Sequence, residues 1–160
     1  MIAAKGKLLS ILTLSLLLFA SSITIANASQ TRMPFYLVAR DFAPTTELQW
    51  HWADDAVVAI MGILEGIVED AKGDMIGTII LDRSVHVRNF ITQTSTITAQ
   101  FVINFHNGAI IEGTMTVKVT YGAEIVSEGK FAGHGDMNVK GDIYNVPGST
   151  SAIVLDGYSW

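Results

Sequence analysis

The sequence predicts an all-β fold, a single antiparallel meander β-barrel of about eight strands behind an N-terminal signal peptide. Three observations carry the prediction. Apolar residues alternate with polar ones from Thr96 to Thr120 around a short Asn-Gly turn. Further segments of strand length follow one another, separated by Gly, Pro, Asn and Asp clusters. The first 28 residues have the layout of an export leader rather than of a folded element.

The leader has Lys5 and Lys7 ahead of an apolar run from Leu8 to Ala20, and then the small-x-small site Ala26-Asn27-Ala28. Residues 1–28 therefore read as a signal peptide cut after Ala28, with the barrel domain over 29–160 and a secreted, extracytoplasmic location. The apolar core is short for an uncleaved membrane anchor. The net charge of the 160-residue chain is −5, and an acidic surface disfavours nucleic acid and anionic membranes as partners. There is no cysteine, which removes disulfides, thiolate metal sites, a lipidated cysteine and a cysteine nucleophile, so an exported domain must rely on its core.

The elements follow in order. Phe35 to Phe42 is a strand, with Pro34 just ahead of it, where a missing N–H does little harm. Leu48 to Trp52 is a short strand with Trp50 and Trp52 on one face and Gln49 and His51 on the other. Asp54 to Asp70 is ambiguous. As a helix, capped by Asp54 or Asp55, it would align Val57, Ile60, Met61, Leu64 and Val68. As a strand from Val57, with Lys72-Gly73 as the turn, it sets Leu64 against Leu81, Gly66 against Ile79 and Val68 against Gly77, all on one side. Gly62 and Gly66 each weaken a helix by about 1 kcal/mol relative to alanine, and the strand is preferred.

Met75 to Val87 is a long strand. The central hairpin then pairs Ile103 with Ile111, Ala99 with Met115 and Ile97 with Val117 through the loop His106-Asn107-Gly108. A loop one residue shorter would place Ile103 opposite Glu112. Gly122-Ala123 turns into a strand from Glu124 to Phe131, and Gly133-His134-Gly135 into one from Asp136 to Asn145. Pro147-Gly148-Ser149 closes a last hairpin, pairing Ile143 with Ile153 and Gly141 with Leu155. A meander of this many strands closes most simply as a barrel, which removes exposed edges.

The run Glu128-Gly129-Lys130-Phe131-Ala132-Gly133-His134-Gly135-Asp136, followed by Val139-Lys140-Gly141-Asp142, resembles the glycine-rich strand pair of the allene oxide cyclase and dirigent-type barrels. Glu112 to Val117, an E-G-T-x-x-V pattern, is similar too. The resemblance covers the C-terminal half and implies a secreted or plastid barrel, often trimeric, with an apolar cavity for a small organic molecule. The family's catalytic residues do not map onto this chain, so none is carried over.

Arg83 is in phase with Gly77, Ile79, Leu81, Val85 and Val87 on an otherwise apolar face, opposite Gly62. It could bind a ligand carboxylate inside a barrel, or reach water at the barrel mouth. Trp50, Trp52 and the inward Phe101 are the aromatic candidates for a ligand pocket, and core packing is their other use. Glu65 falls on the outward face. His51, His86, His106 and His134 show no metal-ligand spacing, with His51 and His86 on predicted polar faces and the other two in turns. No nucleophile elbow, phosphate loop or calcium loop is present, and no metal or cofactor is expected.

The function expected from these residues is non-catalytic binding of a small apolar or amphipathic ligand, with a homo-oligomer as a further possibility. A cyclase- or isomerase-like enzyme using the cavity is one alternative. A small outer-membrane barrel ending on Tyr158-Ser159-Trp160, or a cell-surface interaction module, is another.

Overall fold

The computed structural model describes residues 31–47, 49–53, 57–149 and 152–160, and within them every side chain except those at 50, 53, 57–61 and 83. The predicted leader, Asp54 and Asp55 lie outside the described residues.

Nine strands run in sequence: β1 Met33–Pro44, β2 Gln49–Ala53, β3 Val57–Glu69, β4 Met75–Asn89, β5 Thr94–Phe105, β6 Ile110–Tyr121, β7 Ile125–Gly135, β8 Val139–Asn145 and β9 Ile153–Ser159. From β3 to β9 each strand pairs antiparallel with the next. β1 closes the ring: it pairs with β9 on one side, where Leu37 faces Leu155, and with β3 on the other, where Val38 faces Glu69. The result is an eight-stranded antiparallel barrel with β2 as an additional strand. β2 continues the path of β1 along β3. Pro44 faces Leu64, Gln49 faces Met61 and Ala53 faces Val57. β1 and β2 thus form one interrupted strand, bent at Asp41, whose φ is 58°.

The ambiguous segment is a strand from Val57, and Leu64, Gly66 and Val68 face Leu81, Ile79 and Gly77 as expected. The β5–β6 hairpin also has the expected register, with Gly108 at φ 90° in its loop. A left-handed residue there lets the three-residue loop match the strand twist.

Two expectations need correction. β7 continues through Gly133-His134-Gly135, and the turn lies at 136–138, because Gly133 is already paired with Gly113 on one side and Val139 on the other. The β8–β9 register is two residues further along: Ile143 faces Leu155 and Gly141 faces Gly157. The longer loop from Val146, whose N–H donates to the Ala152 carbonyl at 3.1 Å, allows this. The shift keeps every side chain on its predicted face. It brings two bare backbones together, so a Cβ on Gly141 would lie 2.1 Å from the Asp156 carbonyl oxygen.

The core fills one end of the barrel. Ile79, Phe101, Ile103, Ile111, Phe131, Val139, Ile143 and Leu155 are all buried there. Each such side chain contributes about 1.5–3 kcal/mol by leaving water. The outward face of β5–β7 carries exposed Thr96, Thr98, Gln100, Lys118, Glu128 and Lys130. Along β5–β7 the apolar side chains thus pack inward while these polar ones face outward.

Candidate functional site

The site is built by an irregularity in β4. Up to Leu81 the strand alternates regularly, with Gly77, Ile79 and Leu81 buried. Between Leu81 and Ser84 it carries one residue more than β3, so Ser84 faces Gly62. The register with β5 shifts over the same stretch, between Asp82 and Val85. A bulge of this kind exchanges the two faces of everything beyond it.

Three expectations for this stretch are therefore overturned. The residue opposite Gly62 is Ser84, not Arg83. Val85 and Val87, expected inside, are exposed at 37% and 38%. His86, expected on a polar outer face, is turned inward with Ser84 and Arg88. Ser84 fixes the bulge: its hydroxyl donates to the Gly62 carbonyl at 2.6 Å.

Beyond the bulge the barrel is not filled. A cavity of about 280 Å³ opens between Leu81 and Met115 at its inner end and Tyr121 and Ile125 at its outer end. Its walls are apolar, with Leu64, Ile97, Val117 and Ile153 among them. Phe42 closes one side, its ring lying over Gly66, where a Cβ would come within 2.9 Å of Cδ1. The polar groups on its surface are His86, Tyr121 and Ser127.

His86 stands opposite Ile97, and its Nε2 is buried with no hydrogen-bond partner among the described residues. Burial, and secondarily the charge of Arg88, holds the imidazole below its ordinary pKa, so it is neutral at physiological pH. Arg88 stands opposite the buried Ser95. Its guanidinium lies 4.3 Å from the centroid of the Tyr121 ring and 5.0 Å from that of Phe90. Its Nε is also buried without a partner. The Ser95 hydroxyl donates to the Tyr121 hydroxyl oxygen at 3.1 Å.

Two of the four residues expected to bind ligand fall elsewhere. Phe101 is 1% exposed, sealed in the filled end of the barrel, and Trp52 is 76% exposed on β2. Neither borders the cavity. The side chains of Arg83 and Trp50 lie outside the described residues. Glu65, His51 and His134 are exposed on their strands, and His106 is exposed in the β5–β6 turn. Among the described residues no three His, Asp or Glu side chains gather as metal ligands. Sequence reasoning missed His86, Arg88 and Tyr121. The available signal was Asp82-Arg83-Ser84, three polar residues in a row inside an otherwise alternating strand.

A larger depression of about 620 Å³ lies on the outward face of β6–β9, between Thr114, Thr116, Lys130 and Lys140. It is open to solvent, and Lys130 is already paired there with Asp142. The apolar cavity, with His86 and its unpartnered Nε2 among the lining residues, is the better-built site.

Compared with known protein families, curated proteins and solved structures, the chain matches none.

Proposed function

We propose that this protein is a secreted barrel that binds a small amphipathic molecule without transforming it. The observation that carries this reading is the apolar cavity of about 280 Å³ with His86, whose Nε2 has no partner among the described residues, in its lining. A buried nitrogen without a partner costs free energy, and a ligand group that bonds to it recovers that cost. The cavity is at the small end of the range for organic ligands. At the roughly 30 Å³ that one water occupies in the liquid, it takes a molecule of about ten non-hydrogen atoms. The charged outer wall favours a barrel that works in water over one that spans a membrane. The likeness of the Glu128 to Asp142 region to dirigent-type barrels points to the same class of occupant, and self-association is part of that proposal.

Native mass spectrometry of the protein, purified without detergent, tests the reading. Extra mass released by organic solvent supports it and gives the ligand class. A bare mass that also fails to take up small amphiphiles added in excess removes it.

One observation favours an isomerase-like enzyme as a second reading. A neutral imidazole with an unpartnered nitrogen, on a residue lining an apolar cavity, is suited to act as a general base. Bound material recovered chemically changed from wild type but not from His86→Gln would support that alternative.

A further inference from the structure

Arg88 is held differently from the two cations that pair with carboxylates among the described residues. Arg40 is bonded to Asp41 and Glu69, and Lys130 to Asp142. The chain has 15 acidic residues against 10 Lys and Arg, so carboxylates are plentiful. Yet among the described residues no carboxylate pairs with Arg88, whose Nε is buried and unbonded. Aromatic rings hold the guanidinium instead, Tyr121 at 4.3 Å and Phe90 at 5.0 Å. Ring faces attract a cation but leave its N–H groups without acceptors. A partly desolvated guanidinium of this kind is costly until an anion reaches it.

Its neighbours complete a receptor. Arg88 does not itself line the cavity, but Tyr121, whose ring face carries the guanidinium, does. Because Ser95 donates to the Tyr121 oxygen, the phenolic hydrogen is left free to donate elsewhere. We infer that Arg88 and Tyr121 form the head-group station of the cavity, and that the natural ligand is a monocarboxylic acid whose apolar part lies against Leu64, Ile97 and Met115. The inference rests on the cavity-binding reading above and adds the chemistry of the ligand's polar end. The carboxylate accepts from the guanidinium and from the Tyr121 hydroxyl. One cation and one hydroxyl suit a single negative charge. A phosphate dianion calls for a second cation, and the nearby His86 is held neutral.

The test uses octanoate and 1-octanol, two probes of about ten non-hydrogen atoms that differ in charge. Both are titrated calorimetrically at pH 8 into protein purified after expression of the full chain. The expected result is octanoate binding about tenfold tighter than octanol or better, the range of a charge-assisted hydrogen bond. In Arg88→Gln that preference falls to near one. Equal affinity of the wild type for both probes, or an undiminished preference in Arg88→Gln, overturns the head-group assignment and leaves the cavity reading standing. Binding of neither probe overturns both. If Arg88→Gln does not fold, Tyr121→Phe decides. It keeps the ring beneath the guanidinium and removes the phenol, so the preference for octanoate over octanol should fall several-fold. An unaltered ratio in that variant counts against the assignment.

Discussion

The ring of Phe35 on β1 packs against that of Phe131 on β7, centroids 5.8 Å apart and planes tilted by 40°. Two whole strands lie between them. Along the ladder, Phe131 faces Gly141, Gly141 faces Gly157 and Gly157 faces Phe35. With no side chain on either intervening residue, the rings meet over bare backbone, and the wall of the barrel curves tightly enough to bring them together.

Gly141→Ala is therefore expected to be among the most damaging single-methyl additions in the chain. The new Cβ would lie 2.1 Å from the Asp156 carbonyl oxygen and 2.6 Å from the Gly157 Cα, and backbone atoms in a ladder cannot step aside. We expect a loss of about 3 kcal/mol, measured by urea denaturation. Gly122→Ala is the control. Its nearest neighbour would be at 3.6 Å, and it should stay within about 0.5 kcal/mol of wild type.

Ser84→Ala should loosen the bulge that shapes the cavity. It removes the 2.6 Å bond to the Gly62 carbonyl and leaves that acceptor unsatisfied. The expected cost is about 1–2 kcal/mol, seen as a lower urea midpoint at unchanged slope. An unchanged midpoint would show that the neighbouring ladder alone holds the bulge.

Stability should depend on pH through His86. In the unfolded chain it titrates near about 6.5, while in the barrel burial and the adjacent Arg88 lower its pKa. Between the folded and unfolded values the unfolded state binds more protons. The contribution is thus fully present above about pH 6.5 and is lost as pH falls through that value toward the folded one. Arg88, on the same strand, and Tyr121, from β6, are the ionisable groups nearby. The cavity walls from β3, β5 and β9 present Leu64, Ile97 and Ile153. The urea midpoint should drop between pH 7.5 and pH 5.5, and His86→Gln should reduce that drop. An equal drop in the variant would assign it to other groups.

Asp70 gives a second, acid-range dependence. Its carboxylate accepts the N–H groups of Lys72 at 2.8 Å and Asp74 at 3.0 Å, closing the β3–β4 turn. The bond from Asp74 and then that from Lys72 push its pKa down. The stabilisation is present above the unfolded value near about 3.9 and is lost as pH falls through the folded one. Asp70→Ala should lower the midpoint clearly at pH 7 and less at pH 2. A gap of the same size at both would mean that the charge on Asp70 does not matter to the turn.

How much of this was legible in the sequence differs from strand to strand. The β5–β6 register was readable because long alternation on both arms admits only one loop length that puts Ile103 beside Ile111. The strand identity of β3 was readable from its match to Leu81, Ile79 and Gly77. In β4, by contrast, Leu81, Arg83, Val85 and Val87 form an uninterrupted period-two series, and that local pattern puts Val85 and Val87 on the wrong face. What decides the face is a bulge held by a hydroxyl on one strand and a carbonyl on another, a tertiary contact that no window along the chain contains. The site was hidden for the same reason: His86 and Arg88 are on the inside only because the bulge is there. In β8–β9 the turn residues Pro147-Gly148-Ser149 suggested a tight hairpin, whereas the approach of Gly141 to Gly157 required the longer loop.

The closure of the barrel through β1 sets a clock on folding. A chain made from its N-terminus presents β1 early, and one of the strand's two partners, β9, is the last to arrive. At the usual pace of synthesis about ten seconds separate Ala39 from the Ile153 it pairs with. Until then β1 has a vacant edge and the barrel stands open. Such long-range pairing folds slowly, and open edges recruit other chains. A protein built this way gains from being kept extended until synthesis ends, as threading through an export channel would do, and its last seven-residue strand acts as the latch.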